Sequence, residues 1–245
     1  MTAGAAWMAA FPLAEATQAV RALRTAWDSL AAAPKPKFHH RVAEPHLTRV
    51  LKRYVDRVVS REYGLLGFWS TEGVENEVDF DTGDILDERR TDILYAWNNE
   101  HQAMRLVFEF KKLDHRATSR KKYLGEDGLL RFVTGPYSRE QPVAAMVGIL
   151  TAPHANVVPP LQKALEHPAM ASAAQLCPRH DGEVLHRPSG LFPGSAEFDT
   201  EHLRSIPLGP THGTIRVSHF FLAFGYPGPA GPGVRRARTL KALED

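Results

Sequence analysis

The stretch Val107-Phe108-Glu109-Phe110-Lys111-Lys112-Leu113 sets an acid and a base inside a run of apolar and aromatic residues. Side chains alternate sides along a strand, so Glu109 and Lys111 share a face with Val107 while Phe108 and Phe110 point the other way, into a core. Ionised groups are costly to bury unless they are paired, so both charges need partners. If residues 90–97 and 105–112 form an antiparallel hairpin through a turn over Asn99 to Gln102, with Asn98 opposite Ala103, counting back from that pair sets Asp92 opposite Glu109. Two carboxylates facing each other across a ladder stand roughly 5 Å apart at Cβ and repel; a divalent cation between them removes the conflict. Oxygen donors without thiolate or imidazole favour Mg²⁺, with Mn²⁺ as a substitute, over zinc. Lys111 then holds an ammonium beside the water such an ion activates, where it can position a nucleophile or stabilise developing negative charge. The plain alternative is a simple Glu109–Lys111 ion pair on a solvated sheet face.

The elements that must carry these residues can be read from periodicity. Val20, Leu23, Trp27 and Leu30 recur at helical spacing between Ala14 and Ala33, and a short linker, Pro34 to Lys37, follows. A second helix starts at Glu44-Pro45, proline suiting a first turn, and presents Leu47, Val50, Leu51, Tyr54, Val55, Val58 and Val59 as one apolar stripe, with Arg49, Lys52, Arg53 and Arg57 on its other face. Between Gly64 and Leu113 the pattern changes to strands at 65–69, 74–80, 90–97 and 104–113, with turns at 81–84 and 98–102. Residues 117–135 read as helical, weakened by their glycines, and residues 141–150 as a buried strand. Residues 152–213 are proline-rich with little periodicity beyond a short helix at 159–168, and residues 214–226 return to a strand pattern. The expected fold is α/β, a central mixed β-sheet flanked by helices. It divides into an N-terminal helical extension (1–36), a main domain (37–227) and a flexible basic tail (228–245) with Arg235, Arg236, Arg238 and Lys241.

Composition narrows the class. The 245 residues are 43% hydrophobic and 24% charged, which excludes disorder throughout, and a net charge of +2 permits a local basic surface without demanding a polyanionic partner. A single cysteine, Cys177, excludes an intramolecular disulfide framework and fits a reducing, cytoplasmic setting. The first residues are apolar but carry no positive n-region and run into helical spacing, so they read as helix rather than as a signal peptide. No apolar run reaches membrane-spanning length. Gly-X-Ser-X-Gly, His-Glu-X-X-His, Walker and Gly-X-Gly-X-X-Gly patterns are absent.

Asp92 in Arg89-Arg90-Thr91-Asp92-Ile93, followed by Glu109-Phe110-Lys111 on the next strand after an amphipathic helix, resembles the PD-(D/E)XK nuclease superfamily, the restriction-endonuclease-like fold. The resemblance spans about residues 44–150 and rests on short motifs, with Thr91-Asp92 where the family pattern has Pro-Asp. It implies that Asp92 and Glu109 bind Mg²⁺, that the Phe110 backbone carbonyl adds a ligand, and that Lys111 assists water in phosphodiester hydrolysis. A further family acid matches either Glu44 or Glu77; Glu77 is preferred, as residues 74–80 read as a neighbouring strand. The implied activity is a metal-dependent deoxyribonuclease acting on DNA, in restriction, defence against foreign DNA or repair, alone as a homodimer or with a partner protein. The alternative is a catalytically silent nucleic-acid-binding or assembly module on the same fold.

Other features have two readings each. Lys112, His115, Arg116, Arg120, Lys121 and Lys122 would steer phosphates towards the site or form a solvated helix end. Tyr123 and Arg131 follow on the same helical stretch, Tyr123 reading as a core residue. The acids Glu72, Glu75, Glu77, Asp79, Asp81, Asp84, Asp87 and Glu88 read mainly as a solvated turn. Cys177, His180 and His186 make a weak case for zinc, and His219 reads as a hydrogen-bonded core histidine.

Overall fold

The hairpin expected around Asn99 forms with its expected register. Its turn is closed by the Asn99 N–H donating to the Gln102 carbonyl (2.8 Å), and Asn99 Oδ1 accepts from the backbone N–H groups of His101 (2.8 Å) and Gln102 (2.7 Å), the local bonding that favours asparagine in turns. The strands then pair from Asn98↔Ala103 back to Ile93↔Phe108.

The computed structural model describes residues 11–78, 85–134, 137–138, 141–204 and 213–226, and the side chains of residues 72–90 lie outside the description, as do the expected turn at 81–84 and the tail at 228–245. Strands β1 (Phe68–Val78), β2 (Ile85–Asn98), β3 (Ala103–Leu113), β4 (Val143–Leu150), β5 (Leu185–His186), β6 (Phe198–Leu203) and β7 (Thr214–Ala223) form one mixed sheet in the order β1-β2-β3-β4-β7-β6-β5. β4 runs parallel to β3 and β7; the other pairings are antiparallel. With neighbours on both edges and helices over both faces, β4 is buried at every residue, and its near-continuous apolar sequence is what such a strand requires.

Helices cover the two faces. On one lie α1 (Leu13–Ala31) and α2 (Glu44–Tyr54), the latter continuing through a π-helical turn at Val55–Val59 and a final turn at Ser60–Glu62. Their buried residues share a core with Phe108 and Phe110. Of the apolar stripe expected on α2, Leu47, Leu51, Val55 and Val59 are buried, whereas Val58 is exposed. Four-residue steps drift by about 40° each on an α-helix; the wider π turn takes back part of that drift and returns Val59 to the sheet. The first helix is not set apart from the main domain: Trp27 packs against Phe38 and Phe224 at ring distances of 5.3 and 5.2 Å, and its Nε1 donates to the Ala223 carbonyl at 2.7 Å.

The opposite face is covered by α3 (Ala117–Leu124), α4 (Leu130–Val133), α5 (His154–Glu166) and α6 (Pro168–Ala173). One helix was expected over 117–135; there are two, separated where Gly128 presses so closely on the preceding turn that a Cβ there would sit 2.2 Å from the Tyr123 carbonyl oxygen. Parts of the two strands expected at 65–69 and 74–80 belong to the single strand β1, because Ser70 and Thr71 between them pair with Leu94 and Ile93; residues 65–67 lie outside the strand and 79–80 outside the described residues.

Two strands in the stretch without periodicity, β5 and β6, were not expected. β6 buries Asp199, Thr200 and His202 completely. Asp199 accepts from the Ser189 and Ser218 hydroxyls (both 2.7 Å) and from the Gly190 and Leu191 N–H groups (2.8 and 3.3 Å). A second buried chain runs Tyr123 Oη···Nδ1 His219 (3.0 Å), His219 Nε2···Oγ1 Thr200 (2.9 Å), Thr200 Oγ1···Nε2 His202 (2.7 Å) and His202 Nδ1···O Ala174 (2.7 Å). The Ala174 carbonyl can only accept, so His202 donates from Nδ1, Thr200 donates to His202, His219 donates to Thr200 from Nε2, and Tyr123 donates to His219. Tyr123 and His219 are therefore core residues. Among the described residues no helix is long and apolar enough to cross a membrane.

Candidate active site

The β2–β3 ladder ends at Ile93↔Phe108. Further along, β2 keeps only β1 as a neighbour, while β3 stays paired with β4 on its other edge. N–H groups of alternate residues point the same way from a strand, so this divergence strips the partners from Phe110 and Lys112. Two carboxylates take their place: the Phe110 N–H donates to Asp92 Oδ2 at 2.8 Å, and the Lys112 N–H donates to Glu44 Oε2 at 2.6 Å. Both acids are thus fixed on the edge of β3 by backbone bonds.

Glu109 lies near Asp92 and is 1% exposed. Its Oε1 accepts from Lys111 Nζ at 2.7 Å and from Arg131 Nη1 at 3.2 Å; Oε2 is buried and has no hydrogen-bond partner among the described residues. Lys111 Nζ also donates to the Phe110 carbonyl at 2.9 Å and lies 3.7 Å from Glu44 Oε1. Asp92, Glu109 and Lys111 therefore meet as expected, and of the two alternatives for a further acid it is Glu44 that joins them. Glu77 is placed on β1 opposite Asp87, five residues back along β2 from Asp92, about 17 Å by strand rise; its side chain lies outside the described residues.

The charges act on one another. Burial, with the nearby Asp92 charge, pushes the Glu109 carboxyl up to about 7, against the opposing pull of Lys111 and Arg131. Burial also raises Glu44; Asp92 adds to this and Lys111 works against it. Burial disfavours the Lys111 ammonium, but Glu109, Glu44 and Asp92 outweigh it and hold the lysine above its ordinary range. Acids pushed towards their neutral form beside a cation held ionised show that burial and the crowding of like charges both act here.

Neighbouring cations have separate duties. Lys112 points away from Lys111 and donates to the carbonyls of His40 (2.7 Å) and Val42 (3.0 Å), which fixes the lead-in to α2 and hence Glu44. Arg131 binds Glu109. Its Nη1 also donates to the Tyr137 hydroxyl at 3.0 Å, and its guanidinium lies 5.2 Å from the Tyr137 ring centre. Arg204, 5% exposed, grips the carbonyls of Ser138 (2.8 Å) and Tyr137 (2.9 Å). Sequence reading missed this support: Arg204 follows the polar strand β6, and nothing in its neighbours marks it.

Glu44, Lys111 and Lys112 border a cleft of about 1310 Å³ at the carboxyl ends of β3, β4 and β7, where α/β sheets commonly receive ligands. His115, Arg116 and Lys122 line it too, although Arg116 is paired with Asp114.

Among the described residues no group of three or more histidine, cysteine, aspartate or glutamate side chains stands together as a ready metal-ligand set. Cys177, His180 and His186 therefore form no zinc set. At the acid cluster the oxygens are engaged by Lys111, Arg131 and two backbone N–H groups. The donor types nevertheless fit a hard divalent cation: carboxylates from Asp92, Glu44 and Glu109, the last with its buried Oε2 unpartnered among the described residues, and the Phe110 carbonyl. No family model, curated protein or solved structure matches this chain.

Proposed function

We propose that this chain is a metal-dependent nuclease of the PD-(D/E)XK kind, hydrolysing DNA phosphodiester bonds. The observation that carries the reading is the convergence of Asp92, Glu109, Lys111 and Glu44 where β2 leaves β3, with one buried carboxylate oxygen left over. Asp92, Glu109, Glu44 and the Phe110 carbonyl would hold Mg²⁺ or Mn²⁺, which supplies Lewis-acid neutralisation of phosphate charge and a lowered pKa for water. Glu109 and Asp92 keep their oxygens on the β3 edge through bonds to Arg131 and to the Phe110 N–H. Lys111 places a positive charge beside the acids, where negative charge grows on the phosphate oxygens during attack. Lys122 and His115, along the cleft, add attraction for a polyanion. Defence against foreign DNA, restriction or repair would suit such an activity, in a homodimer or a partnered complex.

The test is cleavage of plasmid and linear DNA by purified protein with Mg²⁺, Mn²⁺ or EDTA, beside Lys111→Ala and Glu109→Ala proteins shown to be folded. Cutting that needs metal and disappears in both variants is the expected result. Folded wild-type protein that binds DNA but cuts neither DNA nor RNA with any metal would overturn the enzymatic reading in favour of a silent binding module.

A further inference from the structure

We propose that Lys111 is a resident counter-cation of the acid cluster, displaced when a divalent metal binds, so that this lysine sets the metal affinity of the site. The inference rests on the metal reading above and adds a competition to it.

The Lys111 ammonium lies 2.7 Å from Glu109 Oε1, 2.9 Å from the Phe110 carbonyl oxygen and 3.7 Å from Glu44 Oε1. These oxygens come from β3 and from the start of α2, and they are the donors a hard cation would take. An ammonium and a divalent ion within a few ångströms of each other in a largely buried site repel strongly, so they cannot hold the same oxygens together.

Among the described residues two cations serve Glu109, and of these Lys111 is the one held loosely enough to leave. Arg131 reaches the same Oε1 at 3.2 Å but is held by the Tyr137 hydroxyl and ring, and Tyr137 is in turn held through its backbone by Arg204. Lys111 is a compact charge on a flexible four-carbon stem. It borders the cleft and has room to swing into it. Glu109 Oε2, buried and without a partner among the described residues, is a further donor the ion gains as Lys111 moves. Arg131 keeps Glu109 aligned during the exchange, and Lys111 remains beside the ion it has made room for.

Calorimetric titration of Mg²⁺ and Mn²⁺ into wild type, Lys111→Met and Lys111→Gln is the first test. Both variants are expected to bind metal about tenfold more tightly or better, because a like charge has been removed from the donor set. Wild-type binding with equal or weaker binding by both folded variants overturns the displacement and leaves the metal reading standing; no binding by any of the three overturns both. A second measurement needs no variant: reductive methylation of wild-type lysines, read by mass spectrometry. Lys111 is expected to react several-fold faster when metal is added at saturating concentration, and an unchanged or slower rate under binding conditions overturns the proposal.

Discussion

Replacing Glu109 by glutamine should stabilise the metal-free protein at alkaline pH while abolishing the proposed cleavage. In the folded chain burial and Asp92 move this carboxyl from its ordinary 4.5 to about 7, so at pH 8 its ionised form costs about 3 kcal/mol relative to an unfolded chain, taking 1.36 kcal/mol per pH unit. The sign follows from the raised folded value: the stability this group contributes is full below about pH 4.5 and is lost as pH rises through 7. Glutamine imitates the neutral acid, keeps an oxygen for Lys111 and Arg131, and does not ionise. For a chain of this size each kcal/mol moves the melting temperature by about 2–4 °C, so Glu109→Gln should melt about 6–12 °C above wild type at pH 8 in EDTA and show little difference near pH 4. Differential scanning calorimetry across that range reads the effect directly. Adding Mg²⁺ should then raise the wild-type melting temperature and leave the variant nearly unmoved, since wild type alone gains a neutralising partner for its buried charge. A variant that melts at or below wild type at pH 8 would refute the reasoning, because the ion pairs to Lys111 and Arg131 would then outweigh the cost of burying the carboxylate.

Asp92→Asn keeps an oxygen for the Phe110 N–H and removes the charge that raises both Glu109 and Glu44; carboxyl NMR should find both titrating lower than in wild type, with cleavage lost and the fold intact. Thr200→Val breaks the buried chain between His219 and His202 and leaves ring nitrogens unsatisfied, which should cost about 1–3 kcal/mol each by denaturant unfolding without changing metal affinity. Burial holds His202 down at about 4, so it opposes folding as pH falls from 6.5 towards 4. Glu109→Gln, which removes the opposing slope, should make that acid-side loss plainer in a pH series of melting temperatures.

The β2–β3 hairpin was legible because its information is local: alternation assigns faces, and a symmetric turn with asparagine at its start fixes register, so the approach of Asp92 to Glu109 could be counted from the chain alone. What the count left out was the divergence of β2 from β3 on the N-terminal side of Ile93, a consequence of sheet packing, which lets Asp92 and Glu44 take the Phe110 and Lys112 N–H groups while Glu109 turns to Lys111 and Arg131. Glu44 was harder to choose than Glu77, since helix packing brings it to the end of β3 across 68 residues, while Glu77 looked close only by strand adjacency. β6 escaped notice because Asp199, Thr200 and His202 are buried through hydrogen bonds rather than by apolar character, and hydropathy patterns do not register burial of that kind. Arg204 was hidden for the same reason. The helix over residues 13–31 was visible, but its sharing of a core with Phe108 and Phe110 was not, because amphipathic spacing shows that a face is buried without showing against what.

The neighbours of β4 set an order of events during synthesis. Its Met146 pairs with His219, so an entirely apolar strand leaves the ribosome well before the segment that will cover one of its edges. Parallel pairing across so long a loop is slow to form, and an uncovered apolar strand edge invites association with other chains in the meantime. The hairpin carrying Asp92 and Glu109 can form early, whereas Arg204, which steadies Tyr137 and through it Arg131, arrives with β6. A nascent chain therefore holds the acids before the scaffold that aligns them, and the acid cluster is complete only with the closing strand.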